Sequence, residues 1–235
     1  MAERPVFVPC GGTLGLVTEV SLRFVWHPGF ARVQKHKNVK ALHAAAAGAG
    51  YSPVLEVSTK SEEKLGRHLS AFHLRVPTKD LGAIPLECAF QGSKVFQRGG
   101  PFIDLYTADA RSARRDPRLR GSGSLVAFRF EGIDFPLEPK TAFYDWLYLN
   151  AIFPHREWLD RLKGYAGFSD IEFNPQRSIN CQARSCALFV SLRAKRLLED
   201  ALSSPADFIE LTTQHRYPPS RAVGDMQETL FPRLP

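Results

Sequence analysis

The hydrophobic and polar positions of this chain predict many helices separated by a few short strands. Strand patterns, in which β-branched and aromatic residues cluster or alternate, occur at residues 16–26, 54–57 and 125–130. Helix-spaced patterns bounded by proline and glycine predict helices at residues 32–47, 85–98, 108–115, 139–153, 155–163, 180–202 and a short stretch after Pro205.

These elements place the chain in the α+β class, as one helix-rich domain with appended pieces. Residues 1–50 form a small N-terminal extension, with a strand and a basic helix. Residues 51–215 hold the main domain, and residues 216–235 are a proline-rich tail that is expected to be irregular. A chain of 235 residues with 44% hydrophobic residues is long and apolar enough to fold around its own core.

An excess of basic side chains indicates an anionic partner. The chain has 31 Lys and Arg against 24 Asp and Glu, a formal charge of +7, which favours nucleic acid, a membrane surface or a phosphorylated ligand. The densest basic run contains Arg111, Arg114 and Arg115, followed by Arg118 and Arg120. Contact with DNA phosphates is one interpretation of this run, and a solvated helix face is the alternative.

Cysteine spacing and the leading residues predict a cytoplasmic protein without a metal. The four cysteines form no CxxC pair, and the seven histidines do not combine with them at zinc-finger spacing. Buried free thiols are the expected state. The first residues lack the apolar core of a signal peptide, and no apolar stretch is long enough to cross a bilayer.

One segment, residues 86–96, combines three polar types at helical spacing. On a helix, Glu87, Gln91 and Lys94 fall at i, i+4 and i+7, within roughly 60° of one another. Phe90 and Phe96 lie off this stripe and are expected to anchor the helix in the core. A carboxylate, an amide and an ammonium group presented together suit a polar, partly anionic substrate. The alternative is an exposed polar face with an amphipathic back.

The order of motifs around this segment resembles the NADAR (YbiA-like) family of N-glycosidases. Leu69-Ser70-Ala71-Phe72 precedes it and matches the family's Leu-Ser-Asn-Phe, with Ala71 in place of Asn. Glu87-x-x-x-Gln91-x-x-Lys94 matches the family's central helix, with Cys88 where the family has His. Residues 168–174 and 180–193 resemble the late Asp-containing loop and the Asn-led final helix. The resemblance covers about residues 55–200.

Further blocks resemble the branch of NADAR antitoxins paired with DarT-type DNA ADP-ribosyltransferase toxins. They are residues 91–96, 99–102, 138–148 and 180–184. The resemblance implies an N-glycosidase, with its catalytic domain in residues 51–215, that releases ADP-ribose from modified guanine in DNA and opposes such a toxin. It implies no metal and no other cofactor. Two alternatives are a non-catalytic antitoxin or nucleic-acid-binding module, and a metabolic N-glycosidase of phosphoribosylated pyrimidines.

The resemblance also implies roles for individual residues. Glu87 is the first choice for a carboxylate that stabilises an oxocarbenium-like sugar, Asp170 is a possible base, and Lys94 a phosphate ligand or proton donor. The expected substrate-binding residues are Ser70, Phe72, Gln91, Phe135, Tyr144, Trp146, Asn180 and Gln182. These roles have structural alternatives. Lys94 would form an ion pair, Trp146 would pack in the core, Asp170 would stabilise a turn and Asn180 would cap a helix.

Overall fold

The computed structural model describes residues 1–10 and 15–214. Its α-helices are α1 (Arg32–Gly48), α2 (Lys64–His68), α3 (Leu86–Gly92), α4 (Ala110–Arg115), α5 (Arg118–Gly121), α6 (Ala142–Ile152), α7 (Gln182–Ala194), α8 (Leu198–Ser203) and α9 (Pro205–Gln214). Short 3-10 helices span Ile103–Thr107, Phe153–His155 and Trp158–Gly164. The strands are β1 (Ala2–Pro9), β2 (Val17–Phe24), β3 (Val54–Glu56), β4 (Arg75–Pro77), β5 (Ala83–Pro85), β6 (Lys94–Phe96), β7 (Leu125–Phe130), β8 (Ile133–Phe135) and β9 (Gly167–Ser169).

A four-stranded sheet joins the N-terminal segment to the late part of the chain. Its strand order is β2-β1-β9-β3, with β1 antiparallel to both β2 and β9 and with β3 parallel to β9. Gly167 begins β9 where β1 passes closely, since a Cβ at this position would lie 2.8 Å from Val6 Cγ1. The sheet therefore contains strands from both sides of residue 50, where the sequence predicted a domain boundary. That boundary stays a prediction.

Alternation along these strands gives the sheet two apolar faces. Val6 and Val54 pack with Leu42 of α1 on one face, whereas Phe7 and Leu55 belong to the main core on the other. This is the period of two that an extended strand imposes on its side chains. The main core is built around α7, most of whose residues are buried, and around α6, which packs against it.

Two smaller sheets complete the fold. The hairpin β4–β5 pairs Val76 with Ile84, and a three-stranded antiparallel sheet has the order β6-β7-β8. An aromatic cluster joins this second sheet to α3 and α6, because Phe128 stacks on Phe143 at 4.5 Å between ring centroids and lies 5.5 Å from Phe90. The described chain is a helix-rich α+β domain, which confirms the predicted fold class.

The helix predicted from residue 85 is shorter than expected. It ends at Gly92, and Lys94 begins β6, which pairs with residues 125–128 of β7. Gly92 packs so closely on Tyr106 that a Cβ there would lie 2.6 Å from the ring. The Ser93 hydroxyl also contacts the Tyr106 hydroxyl at 2.9 Å. These tertiary contacts stop the helix two residues before Lys94.

Other predicted boundaries also change. The helix predicted at 180–202 is two helices, α7 and α8, separated near Arg196, whose φ of 58° is incompatible with a continuous right-handed helix. The helix predicted at 155–163 is mainly the 3-10 turn Trp158–Gly164. Strand β1 was not predicted. The predicted strand at 125–130 is confirmed as β7, and the tail at 216–235 lies outside the described residues.

Candidate active site

Glu87, Gln91 and Lys94 lie together, as the sequence pattern predicted, although only two of them are on α3. Gln91 donates a hydrogen bond from Nε2 to Glu87 Oε1 at 2.8 Å, and Lys94 donates from Nζ to Gln91 Oε1 at 2.6 Å. Gln91 thus links the carboxylate to the ammonium group. Since its amide has both a donor and an acceptor end, the orientation of Gln91 is fixed by its two neighbours.

Lys94 is buried, with only 4% of its surface exposed. Its Nζ lies 4.9 Å from the centre of the Phe90 ring, within the range of a cation–π contact. Burial lowers the pKa of the Lys94 ammonium to about 8, the Glu87 carboxylate opposes this fall, and the positive charge of Arg114 adds to it. A lysine with such a pKa exchanges its proton near neutral pH.

Tyr144 on α6 is buried within electrostatic reach of both Glu87 and Asp170. Its ring packs edge-on against Phe90, with 5.5 Å between the centroids. Burial raises the pKa of the Tyr144 hydroxyl well above its ordinary value, and the negative charges of Glu87 and Asp170 both contribute. A single neutral tyrosine therefore lies within electrostatic reach of both carboxylates.

Asp170 follows β9 and is held by a helix and by its own loop. Its Oδ2 accepts a hydrogen bond from Gln182 Nε2 at 2.9 Å, and its Oδ1 accepts from the main-chain N–H of Glu172 at 3.0 Å. The other end of the Gln182 amide accepts from the Ala71 N–H at 2.7 Å. Burial raises the pKa of Asp170 to about 6, and these hydrogen bonds limit the rise. Asp170 therefore has the turn contact that its structural alternative predicted, and its other oxygen is bound by α7.

A second buried carboxylate, Glu56, was missed by the sequence analysis. Only 2% of it is exposed. It accepts hydrogen bonds from the Ser58 and Ser169 hydroxyls, each at 2.6 Å, and from the Ile171 N–H at 2.9 Å. Burial, followed by the charge of Asp170, raises the pKa of Glu56 to about 8. The available signal was a glutamate inside the apolar strand at 54–57.

Arg4 of β1 brings a positive charge to the same region. Its guanidinium lies 5.5 Å from the Trp26 ring centre, and Lys35 Nζ lies 5.9 Å from the same ring. Burial lowers the pKa of Arg4, whereas the charges of Asp170 and Glu172 oppose this change. The N-terminal segment therefore contributes to the electrostatics around Asp170.

The remaining predicted substrate-binding residues are dispersed. Phe135 is only 1% exposed, and its ring packs against Phe143 and Trp146 at 4.8 and 5.0 Å. Phe135 therefore lies in the core, where its ring is not exposed to stack on a base as the sequence predicted. Trp146 also packs against the core. Phe72, in contrast, is 66% exposed.

Two residues near Gln182, which joins Ala71 to Asp170, have a buried side-chain oxygen without a hydrogen-bond partner among the described residues. They are Ser70, through its hydroxyl, and Asn180, through Oδ1. Asn180 does not cap α7, because the cap position is Cys181, and no side-chain hydrogen bond caps this helix. Ser70 precedes Ala71, whose N–H binds the Gln182 side chain. Asn180 lies two residues before Gln182 in the sequence.

The predicted basic run lies partly on α4, which packs behind α3. Ala113 of α4 and Cys88 of α3 share a small apolar cluster. Arg111, Arg114 and Arg115 are exposed, and their guanidinium groups make no ion pair with the residues that the structure describes. Arg118, by comparison, is bound by two carboxylates, Asp104 and Asp116. Of these three arginines, Arg114 lies close enough to Lys94 to lower its pKa.

The comparison with protein families decides the relationship of the chain. The family model described as DarT1-associated NADAR antitoxin matches residues 2–222. The chain belongs to this antitoxin family. The match includes the N-terminal segment as well as Glu87, Lys94 and Asp170, and it confirms the resemblance inferred from the motifs. No curated protein matches the chain.

Across residues 1–10 and 15–214, no group of three or more His, Cys, Asp or Glu side chains is arranged to hold a metal ion. Within the same parts of the chain, no helix combines the length and apolar character needed to span a bilayer.

Proposed function

We propose that this antitoxin is an N-glycosidase that removes ADP-ribose from modified guanine in DNA, and that it thereby opposes a DarT-type toxin. Membership of the DarT1-associated NADAR family supports the antitoxin role. The activity is supported by one structural observation above all. Lys94 is buried and hydrogen-bonded through Gln91 to Glu87, and the charges of Glu87 and Asp170 both raise the pKa of the buried Tyr144 hydroxyl.

The proposed chemistry uses two carboxylates and one ammonium group. Breaking the bond between the anomeric carbon and the base nitrogen leaves positive charge on the sugar, which Glu87 stabilises. The electron pair of that bond goes to the nitrogen, which takes a proton from Lys94. Water supplies the new oxygen on the anomeric carbon, and Asp170 accepts the proton that this water loses. The pKa of Asp170, raised to about 6 by burial, suits a base that works near neutral pH.

Polymer binding is supported by α4. Arg111, Arg114 and Arg115 are exposed and unpaired among the described residues, and Arg114 is close enough to lower the pKa of Lys94. Arginine side chains in this arrangement suit the phosphates of a nucleic-acid strand. The unpartnered oxygens of Ser70 and Asn180 are candidate hydrogen-bond partners for hydroxyl or amino groups of the ADP-ribose.

The test is hydrolysis of a single-stranded oligonucleotide that carries one ADP-ribosylated guanine. The wild-type protein is expected to release free ADP-ribose and restore the unmodified oligonucleotide, with both products identified by mass. Glu87→Gln keeps an acceptor for Gln91 but removes the negative charge, so turnover is expected to fall at least about 100-fold. Glu157→Gln, a charge-matched change at an exposed position, should retain normal turnover.

Two results would replace this proposal. Release of the base from free phosphoribosylated pyrimidines, with no action on the oligonucleotide, would indicate a metabolic N-glycosidase. Tight binding to the toxin or to DNA, with no hydrolysis of either substrate, would indicate a non-catalytic antitoxin.

A further inference from the structure

Glu56 contacts both residues that flank Asp170 in the chain. Its carboxylate binds the Ser169 hydroxyl at 2.6 Å and the Ile171 main-chain N–H at 2.9 Å. The parallel pairing of β3 with β9 aligns Glu56 with Ser169. These contacts lie on the α1 face of the sheet, since His43 of α1 also binds the Ser169 hydroxyl, at 2.9 Å.

Asp170 has its partner on the other face. Gln182, which donates a hydrogen bond to Asp170 Oδ2, belongs to α7 in the main core, and successive residues of an extended chain project to opposite sides. Holding Ser169 and Ile171 on the α1 face therefore directs Asp170 towards Gln182. Glu56 is placed to do this from the opposite face of the sheet.

We propose that Glu56 is a positioning residue for Asp170, and that it fixes residues 169–171 so that the Asp170 carboxylate remains aligned with the site. This inference rests on the proposed function, because it concerns the base of the proposed reaction. Small displacements of a catalytic group are costly, since a shift of about 1 Å can lower the rate about 100-fold.

The charges around Glu56 agree with this role. Asp170 and Cys181 interact electrostatically with Glu56 itself, His43 of α1 shares its partner Ser169, and Arg4 of β1 and Glu172 act on Asp170. Burial lowers the pKa of His43 to about 4, so His43 is neutral near pH 7. Burial and the charge of Asp170 raise the pKa of Glu56 to about 8, so Glu56 keeps a proton while Asp170 is ionised. Glu56 can therefore hold the loop without adding a second negative charge beside the base.

Two serines provide a matched pair for the test. Ser58 and Ser169 are both buried, each binds Glu56 at 2.6 Å, and each hydroxyl has one further partner, the Lys60 N–H or His43. Only Ser169 is adjacent to Asp170. Ser169→Ala is expected to lower kcat on the ADP-ribosylated oligonucleotide by about 10- to 100-fold with little change in KM. Ser58→Ala should lower kcat much less.

Equal losses of kcat in the two serine variants, or a normal kcat in folded Ser169→Ala, would overturn the proposal. A measurement independent of activity is the titration of Glu56 followed by carbon-13 NMR of its carboxyl group. In Asp170→Asn the pKa of Glu56 should fall, because a neighbouring negative charge has been removed. An unchanged midpoint would also contradict the proposal. If the wild type releases no ADP-ribose, the proposed function fails, whereas this titration still tests the link between Glu56 and Asp170.

Discussion

Lys94 donates a hydrogen bond of 2.6 Å to the side-chain carbonyl of Gln91 while its ammonium group is almost wholly removed from solvent. Placing a lysine in such a position costs desolvation energy, which an apolar residue at the same place would avoid. Residues that reduce stability in this way are often retained for function. The Lys94 site therefore permits function and stability to be tested separately.

Lys94→Met removes the charge and keeps a side chain of similar length. Turnover of the ADP-ribosylated oligonucleotide is expected to fall at least about 100-fold, because the leaving base loses its proton donor. The free energy of unfolding in urea should change by no more than about 1–3 kcal/mol, because removing a buried charge favours folding while the Gln91 Oε1 left without a donor opposes it. Lys64→Met, at an exposed position, serves as the control. Turnover within tenfold of wild type in Lys94→Met would remove Lys94 from the reaction.

The pH dependence of kcat/KM is expected to have two limbs. Asp170 must be ionised to accept a proton, and burial raises its pKa to about 6, so activity should be lost as the pH falls through about 6. Lys94 must be protonated to donate, and burial lowers its pKa to about 8, so activity should be lost as the pH rises through about 8. Initial rates between pH 5 and 9.5 measure this profile, with circular dichroism to confirm folding at each pH. A flat profile would contradict both assignments.

The arginines of α4 should matter for DNA and not for a small substrate. Arg114→Glu/Arg115→Glu is expected to weaken binding of the modified oligonucleotide and to reduce the slope of log K against log salt by about 1 to 2, as expected for two lost phosphate contacts. Hydrolysis of a free ADP-ribosylated guanine nucleotide should change little. The same charge change made by Arg161→Glu/Lys163→Glu, elsewhere on the surface, is the matched control. Equal losses on both substrates would exclude a DNA-specific role.

The contact between Gly92 and Tyr106 should be needed for stability. Gly92→Ala places a Cβ 2.6 Å from the buried Tyr106 ring and is expected to lower the free energy of unfolding by about 1–3 kcal/mol. Gly121→Ala meets no atom within 4 Å and should change stability little. Urea unfolding of both variants makes the comparison. An unaffected Gly92→Ala variant would show that Tyr106 moves aside without cost.

The sequence predicted the proximity of Glu87, Gln91 and Lys94, but it assigned the wrong local structure to Lys94. Spacing at i, i+4 and i+7 is a local signal. It predicts the proximity of Glu87 and Gln91 correctly because both lie on α3. Lys94 reaches Gln91 from a strand, whose position is set by pairing with β7 and by the contact at Gly92. Such contacts connect distant parts of the chain, and no periodicity along the sequence records them.

Glu56 illustrates the same limit for the site. Its hydrogen-bonding partner Ser169 is 113 residues away in the chain. In the sequence, Glu56 is one polar position in a short apolar strand, and it is compatible with an exposed edge. The parallel pairing of β3 with β9 turns it into a buried group beside Asp170. Asp170 itself was proposed because the family motif includes an acidic loop, which local patterns would not have distinguished from an ordinary turn.

The amino terminus has an unexpected importance because β1 pairs with β9, at Val6 with Ser169 and at Phe7 with Phe168. Deleting the first nine residues would leave one edge of β9 without its hydrogen-bonding neighbour, directly before the acidic loop. Substitutions in β1 that break this pairing are then expected to disturb Asp170, which follows β9 directly. Strand β1 therefore supports the loop that carries Asp170, and a mutational survey of the proposed active site should include it.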